Sequence, residues 1–235
     1  MTEKEYQQAD LKKEAAKFAA GIIKNRAIVG LGGGSTISSL VECLAEERQR
    51  GLQFQVLTSS SNTSQSLRLK GFDVVEPASV SSLDLYFDGC DQFDKNLHAL
   101  KSGGGIHTME KLLAAMSKEF ILVGDQSKYV QELSTKFPLA VEVFPEAVLF
   151  VEEKIREMYR NVRVTIRRQD DLESLFTSTH GNHLLDLWFE QWPSLSLVNP
   201  SLKSITGVVE TSLFYNMAGR AIIAGKEGVR TIIKP

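Results

Sequence analysis

The sequence has few cysteines, no excess of basic residues and no long hydrophobic run. Cys43 and Cys90 are the only cysteines among 235 residues, and they do not form a CxxC pair. This spacing argues against a disulfide framework and against a zinc ribbon, and it suits a reducing compartment. No apolar run is long enough for a transmembrane helix, and the first residues lack the apolar core of a signal peptide. We therefore expect a cytoplasmic protein with no membrane partner.

The charge balance gives no reason to expect a polyanionic partner. Lysine and arginine together number 27 and aspartate and glutamate 29, so the formal net charge at pH 7 is −2. A nucleic-acid-binding protein normally carries a basic patch, so we expect no nucleic acid among the partners. Any anionic ligand must be held by local donors rather than by the field of the whole protein.

The first half of the chain alternates short apolar strands with helices. Strands are predicted at 27–31, 54–58, 72–76, 83–87 and 120–123, and helices at 8–23, 37–47, 64–70 and 110–116. This alternation predicts an α/β fold with a mostly parallel sheet and helices on both faces. Polar or glycine-rich loops follow four of the strands, at 32–36, 59–63, 88–91 and 125–128. We expect these loops to meet at one edge of the sheet, where such folds bind ligands.

The second half of the chain has a different pattern. Three strands are predicted at 139–143, 162–167 and 183–189, with a helix at 147–159. A strand–helix–strand–strand order is typical of a small α+β module. Pro193 and Pro200 interrupt the following segment, and strands predicted at 221–224 and 229–233 could rejoin the first sheet.

A glycine-rich turn, GLGGGST, lies between the first predicted strand and the next helix. Backbone amides of Gly33 and Gly34, with the hydroxyls of Ser35 and Thr36, could hold a phosphate at the helix N-terminus. The turn is not a P-loop, because no GK[ST] follows. An ordinary tight turn, with one of the hydroxyls as the N-cap, explains the motif equally well.

Two carboxylates, a lysine and a third carboxylate follow closely in the middle of the chain. Asp88 and Asp91 come directly after a predicted strand, and paired carboxylates can orient hydroxyls or transfer protons. Lys101 precedes the glycines 103–105 and could stabilise a developing oxyanion. Glu110, at the start of a helix, could become a base if burial raised its pKa. Taken alone, each of these residues can also be explained without a catalytic role, as a capping residue or as part of a flexible loop.

The histidines give little support for metal or triad chemistry. No histidine cluster lies near the paired aspartates, so we expect no metal site there. His98 and His107 flank the lysine loop, and we expect both at the surface or behind the site.

Eight motifs occur along the chain in this order: GLGGGST, SSSNTS, DLYFDGCDQFD, KSGGG followed by MEK, GDQSKYV, FPLAVEV, HGNHLLD and ITGVVETSLF. Together they resemble ribose-5-phosphate isomerase of the A type, over nearly the whole chain. The resemblance implies a Rossmann-like catalytic domain of residues 1–133 and 206–235. It also implies a smaller ferredoxin-like α+β domain of residues 134–205, which would act as a lid or in oligomerisation.

The resemblance also implies a reaction. Members of that family interconvert D-ribose 5-phosphate and D-ribulose 5-phosphate in the non-oxidative pentose phosphate pathway. The implied mechanism passes through a cis-enediolate and uses no metal and no cofactor. The implied partners are a small sugar phosphate and further copies of the chain, in a homodimer or homotetramer.

Catalytic roles carry over to four positions. Glu110 matches the base that moves a proton between C1 and C2. Asp88 and Asp91 match acids that bind sugar hydroxyls and assist ring opening or proton transfer between oxygens. Lys101 matches the lysine beside the developing enediolate charge.

Substrate-binding roles carry over to a further set of positions. The phosphate loop corresponds to Gly33, Gly34, Ser35 and Thr36. Two lysines, Lys12 and Lys128, match residues that approach the phosphate or the substrate. The remaining matching positions are Gly89, Cys90, Ser102, Gly103 and Gly104.

Several positions depart from the family's usual residues. The family usually has Thr at the position of Gly33, Ala at that of Cys90 and Glu at that of Gln92. It usually has Gly at the position of Ser102, Arg at that of Met109 and Glu at that of Gln126. The usual TDNGN is shortened to THGN around His180. Two alternatives therefore stay open: an isomerase of another phosphorylated sugar, and a sugar-phosphate-binding protein without catalysis.

Overall fold

The computed structural model describes residues 3–169 and 173–234, with side chains from residue 7 onwards. Six α-helices lie within these ranges: α1 (Glu3–Ala20), α2 (Ser35–Gln49), α3 (Ser61–Leu69), α4 (His107–Met116), α5 (Val148–Met158) and α6 (Leu195–Lys203). The strands of the same ranges are β1 (Ile28–Leu31), β2 (Gln55–Thr58), β3 (Leu83–Asp88), β4 (Gln92–Phe93), β5 (Ala99–Leu100), β6 (Ser117–Asp125), β7 (Leu139–Val143), β8 (Val162–Ile166), β9 (His183–Phe189), β10 (Val208–Thr211), β11 (Leu213–Phe214), β12 (Arg220–Gly225) and β13 (Gly228–Ile233).

The largest sheet has six strands in the order β13-β12-β6-β3-β1-β2. All neighbouring pairs are parallel except β12 and β13, which form an antiparallel hairpin at the edge. The predicted α/β fold is therefore confirmed, and the last two strands do rejoin the first sheet. Because parallel strands point the same way, the loops after β1, β2, β3 and β6 share one edge.

Both faces of the large sheet are covered by helices. On one face, α1 packs on β6 and β12, and α2 packs on β3 and β6. Ala15 and Ala16 of α1 are fully buried there, and their small side chains allow close approach. On the other face, Leu113 of α4 packs with Tyr86 and Phe120. The strands of a sheet buried on both faces appear in the sequence as short apolar runs, which explains why the sequence pattern predicted them.

A four-stranded antiparallel sheet has the order β10-β7-β9-β8. The helices α5 and α6 pack against it, with Val151 and Leu202 fully buried in its core. The element order β7-α5-β8-β9-α6-β10 is that of the expected ferredoxin-like arrangement. The predicted division into domains stays a prediction. If sheet membership defines the domains, the second boundary moves from 205 to 211, because Val208–Thr211 pairs with β7.

A small third sheet has the order β11-β5-β4. Its strands have two residues each. The strand β5 leads directly into Lys101, whose backbone N–H donates to the carbonyl of Ser212 at 3.0 Å. This contact ties the lysine to the chain that follows β10.

Two predicted features are wrong. Residues 72–76 do not form a full strand, and only Val74 bridges to Val56 of the edge strand β2. The segment ends at Pro77, which opens a 3₁₀ turn and has no N–H to continue a ladder. The predicted interruption near Pro200 is instead the helix α6, because burial of Val198 and Leu202 outweighs one lost backbone bond.

No helix in the described ranges is long and apolar enough to cross a membrane. The helix α4 begins three residues earlier than predicted, at His107, so Glu110 is its fourth residue. That position places the carboxylate one turn inside the helix rather than at its cap.

Candidate active site

A cleft of about 460 Å³ opens at the carboxyl edge of the large sheet. Its lining comes from the loops after β1, β2 and β3, from Lys128 after β6, from the lysine loop and from α4. The predicted meeting of these loops is confirmed. The lining residues are Lys12, Gly33, Gly34, Ser35, Thr36, Ser60, Ser61, Asn62, Gly89, Cys90, Asp91, Lys101, Gly103, Gly104, Ile106, Glu110 and Lys128.

Asp88 lies beneath the floor of this cleft. Its carboxylate is fully buried and accepts hydrogen bonds from the hydroxyl of Tyr86 at 2.8 Å and from the backbone N–H groups of Gly89 at 2.8 Å and Gly33 at 3.3 Å. A Cβ on Gly32 would lie only 1.9 Å from the carboxyl carbon, so only glycine allows the carboxylate to sit there. The donors satisfy the buried charge, which would otherwise be costly.

Lys101 joins this aspartate to the open cleft. Its Nζ lies 2.9 Å from Asp88 Oδ2 and 3.4 Å from Glu110 Oε2, and it donates to the carbonyl of Gly89. Burial would lower the pKa of the ammonium group, but the two carboxylates outweigh burial and raise it. The lysine therefore stays cationic and contacts both acids at once.

Glu110 reaches the cleft from α4 and is nearly buried, with 5% of its surface exposed. Burial, followed by the negative charge of Asp88, raises the pKa of its carboxyl group to about 8, against the lowering effect of Lys101. A carboxyl group that titrates near neutral pH is suited to take and return a proton. The geometry thus provides a base beside a permanent positive charge.

Asp91 lines the cleft and is oriented by the lysine loop. Its Oδ2 accepts a hydrogen bond from the backbone N–H of Ser102. The Ser102 side chain points away from the cleft, donating to the carbonyl of Pro138 and lying 3.1 Å from the hydroxyl of Ser212. A cleft-lining carboxylate held in this way is available to sugar-type hydroxyl groups.

The part of the cleft beside the start of α2 is suited to an anion. The helix α2 starts at Ser35 after Gly34, which has φ +90° and provides no side-chain cap for the first turn. The Lys12 ammonium group donates to the hydroxyl of Ser35 at 3.0 Å, and Lys128 lines the same cleft. Uncapped amides at a helix N-terminus with nearby lysines favour a phosphate group.

The chain matches known proteins over almost its whole length. A family model described as ribose 5-phosphate isomerase A (phosphoriboisomerase A) matches residues 55–228. The ribose-5-phosphate isomerase A of Protochlamydia amoebophila (strain UWE25) is 36% identical over 227 residues and 94% of each chain. The chain belongs to the ribose 5-phosphate isomerase A family. It is therefore an aldose–ketose isomerase, and the resemblance of its motifs is confirmed.

Solved structures of the family have the same fold. The crystal structure of ribose 5 phosphate isomerase A from Neisseria gonorrhoeae has a TM-score of 0.88 and 30% identity, covering 97% of this chain and 98% of that one. A D-ribose-5-phosphate isomerase in complex with phospho-erythronic acid has a TM-score of 0.89 and 27% identity, covering 95% and 98%.

Most of the residues predicted from the family motifs do line the cleft, with two exceptions. Asp88 lies under the floor, and the side chain of Ser102 points away from the cleft. Sequence reasoning named the polar loop after β2 but none of its cleft residues, which are Ser60, Ser61 and Asn62. Tyr86 and Gly32 were also missed, because their roles depend on where Asp88 lies.

The unusual residues of this family member lie in different surroundings. Cys90 lines the cleft, and burial raises the pKa of its thiol to about 12, so it is not a nucleophile. Gln92 accepts from the N–H and hydroxyl of Ser134 and donates to its carbonyl. Met109 lines a neighbouring pocket with His180. These substitutions leave the acids and the lysine in place.

His107 does not lie at the surface, which was one of the two locations expected for it. It is the first residue of α4 and is fully buried, and its Nε2 lies 3.3 Å from the carbonyl of Glu210. Burial, followed by the nearby charge of Lys111, lowers the pKa of its imidazole to about 4. A neutral, buried imidazole on the far side of the helix does not contact the cleft.

Proposed function

We propose that this protein interconverts D-ribose 5-phosphate and D-ribulose 5-phosphate, as a step of the non-oxidative pentose phosphate pathway. The observation that carries the proposal is the contact between Lys101 and the two acids, Asp88 and Glu110, beside a cleft that also includes the uncapped start of α2, which suits phosphate. The reaction needs a base, a positive charge and a phosphate site in that arrangement.

Glu110 is the proposed base. As a carboxylate it takes the proton from C2 of the open-chain aldose and forms a cis-enediolate, and it then returns the proton to C1. The hydroxyl proton on O2 moves to O1, so the aldehyde becomes an alcohol and C2 becomes the ketone. One carboxylate on one face of the substrate is enough for both carbon transfers.

Lys101 is the proposed electrostatic stabiliser of the enediolate. Negative charge develops on O1 when the proton leaves C2, and a fixed cation in a buried site stabilises it more strongly than water does. The lysine supplies the positive charge that a metal ion would supply in a metal-assisted isomerase, so the proposed mechanism uses no metal.

The two aspartates take different parts in this proposal. Asp91 lines the cleft and is placed to bind sugar hydroxyls and to assist ring opening or proton transfer between oxygens. Asp88 has its carboxylate occupied by Tyr86, two backbone N–H groups and Lys101. We assign it to holding the lysine rather than to direct contact with the substrate.

The phosphate is assigned to the loop Gly33–Thr36 with Lys12 and Lys128, and mainly to its Gly34–Thr36 part, because the N–H of Gly33 already donates to Asp88. The relative solved with phospho-erythronic acid supports a phosphorylated sugar derivative as the class of ligand, because that compound has a phosphate on a short sugar-acid chain. A five-carbon sugar phosphate in an extended form presents its phosphate and its C1–C2 unit at opposite ends, so the two can contact different parts of the lining.

The predicted homodimer or homotetramer stays a proposal. Exposed apolar side chains on the two helices of the four-stranded sheet support it, namely Leu149, Phe150 and Leu197. Large exposed apolar residues on one layer of a protein favour association. Light scattering of the purified protein would measure the assembly.

The function is tested with purified protein, ribose 5-phosphate and detection of ribulose 5-phosphate, with and without EDTA. We expect turnover in both conditions, and loss of turnover with EDTA would contradict the metal-free mechanism. Glu110→Gln should abolish turnover and keep substrate binding in calorimetry. Glu153→Gln, at an exposed position of α5, is the matched control.

Two other outcomes would favour the alternatives. Binding of ribose 5-phosphate without turnover by the unmodified protein would indicate a non-catalytic binding protein. Turnover of a different phosphorylated aldose, with none of ribose 5-phosphate, would indicate a changed substrate. Full activity of the Glu110→Gln variant would show that another residue is the base.

A further inference from the structure

A further buried carboxylate lies outside the cleft. Glu142, on β7, has only 1% of its surface exposed. It accepts hydrogen bonds from the hydroxyl of Thr108, from the hydroxyl of Ser178 at 2.7 Å and from the side-chain amide of Asn182 at 2.8 Å. These donors hold the pKa of the carboxyl group below its usual value, although burial acts in the opposite direction. Buried charge of this kind is retained only where its partners are well placed.

The partners of Glu142 come from two separate segments. Thr108 is the second residue of α4 and precedes the proposed base, Glu110, by two positions. Ser178 and Asn182 belong to the loop that leads into β9. One carboxylate of the four-stranded sheet therefore holds the first turn of the helix that carries Glu110.

The same turn has a second attachment to the four-stranded sheet. The ammonium group of Lys111 lies 2.9 Å from Glu210 Oε1 and donates to the carbonyl and the hydroxyl of Thr211. Glu210 and Thr211 are on β10, which pairs with β7. The residues on either side of Glu110 are thus fixed to two neighbouring strands of the same sheet.

We propose that Glu142 is a positioning residue, which fixes the depth of Glu110 in the cleft through its hydrogen bond with Thr108. The inference rests on the proposed function, because it assumes that Glu110 is the base. Glu142 itself is absent from the lining of the cleft, so it acts only through the helix. The four-stranded sheet then contributes directly to the chemistry of a cleft that lies on the other sheet.

The physical consequence concerns the surroundings of the base. Glu110 faces Asp88, Lys101 and the hydroxyl-bearing Tyr86 on the cleft side, and burial is the largest cause of its high pKa. On the other side of the helix, Glu142 faces His107. If the first turn of α4 moved outwards, water would reach the Glu110 carboxylate and its pKa would fall towards the ordinary value.

The direct test compares two substitutions of Thr108. Thr108→Val removes the hydroxyl and keeps the shape, whereas Thr108→Ser keeps the hydroxyl. We expect the valine variant to lose about 10- to 100-fold in kcat with KM changed by less than about twofold, because positioning affects the transition state. The pKa that governs the rise of kcat/KM with pH should also fall below about 8 in that variant. The serine variant should resemble the unmodified enzyme in both measurements.

A control separates positioning from loss of stability. Val151→Ala removes two methyl groups from the core of the four-stranded sheet, away from α4. It should lower the Tm without moving the pH profile. A double variant, Thr108→Val with Glu142→Gln, should be no slower than Glu142→Gln alone, because Glu142→Gln already disturbs the hydrogen bond from Thr108 together with those from Ser178 and Asn182.

The possible failures are distinguishable. If Thr108→Val keeps the unmodified kcat and pH profile while Glu110→Gln is inactive, this inference is wrong and the proposed function stands. Equal losses in the valine and serine variants would also overturn it, since the hydroxyl would then not be the cause. If Glu110→Gln is fully active, Glu110 is not the base and the inference loses its premise. If the unmodified protein forms no ribulose 5-phosphate, the proposed function itself fails.

Discussion

The two ends of the cleft are built in different ways. The phosphate end consists of the loop Gly33–Thr36, backbone amides and the partly exposed Lys12, and all its parts belong to the large sheet and its helices. The other end consists of Glu110 and Lys101, which are buried and held by contacts that cross between sheets. The phosphate end is partly exposed and is held by the strand and helix beside its own loop, whereas the buried end is held by hydrogen bonds to Glu142 of β7 and to Ser212 after β10.

This difference predicts how each end responds to change. Loss of one donor at an exposed anion site removes binding energy that the substrate and the transition state share, so KM should change. Loss of one partner in a buried charge cluster leaves another charge unpaired, so stability and kcat should both change. Four experiments test this contrast.

Lys101→Met should have the most severe result. It leaves the buried Asp88 without its cation and removes the charge beside Glu110, so we expect kcat to fall by about 1,000-fold or more. Breaking a buried pair should also reduce the free energy of unfolding by about 3–5 kcal/mol. Kinetics and urea unfolding measure the two effects. Lys118→Met, which breaks an exposed pair with Asp84, is the control and should leave kcat unchanged.

The pH dependence should report on the buried end. The base acts as a carboxylate, and burial followed by the charge of Asp88 raises the pKa of Glu110 to about 8. The active fraction therefore increases as pH rises, and kcat/KM should increase roughly 50-fold between about pH 6 and pH 8 before levelling off. The substrate phosphate has a pKa of about 6, so its effect on the pH profile is separable from that of Glu110. A profile that is flat from pH 5.5 upwards would contradict the raised pKa.

Lys12→Ala, at the phosphate end, should change KM rather than kcat. The lysine contacts Ser35 at the start of α2 and should add Coulombic attraction to the substrate in every state. We expect KM to rise about tenfold with kcat within about twofold, and the effect to shrink at high salt. Lys13→Ala, an exposed lysine on the same helix, is the matched control. A loss confined to kcat would place Lys12 with the chemistry instead.

Tyr86→Phe should have the mildest effect of the four. The substitution removes one of four donors to the Asp88 carboxylate and leaves the aromatic packing on Phe120 intact. We expect a loss of about 1–3 kcal/mol in unfolding free energy and a several-fold decrease in kcat. Tyr159→Phe, which removes a tyrosine hydroxyl in the layer of the four-stranded sheet, is the control. No change in either quantity would show that the remaining donors suffice.

The sequence pattern predicted the large sheet well because its evidence is local. Strands buried on both faces appear as short apolar runs, and helices between them have their own period. The pattern failed at residues 72–76, where apolar side chains lie beside the edge strand with only Val74 in a bridge. It also missed β5 and β11, since two-residue strands have no detectable period and Leu100 pairs with Leu213 from far along the chain.

The site could be predicted only as far as its loops. Residues at the carboxyl ends of parallel strands must share an edge, so most of the lining followed from element order. The depth of Asp88 could not be predicted, because it depends on a hydrogen bond from Tyr86 and on the space left by Gly32. The anchoring of Glu110 through Thr108 could not be predicted either, because Glu142 is 34 positions away.

The close approach of Gly32 to Asp88 has an evolutionary consequence. Three consecutive glycines look interchangeable in a motif, yet their surroundings differ. A side chain at Gly32 would overlap the Asp88 carboxylate. A Cβ on Gly33 would meet its nearest atoms at an ordinary 3.4 Å. A saturation library scored for growth on a pentose should therefore recover small residues at position 33 and glycine alone at position 32. Neutral drift can change the neighbour of this glycine but cannot change the glycine itself without first moving the acid.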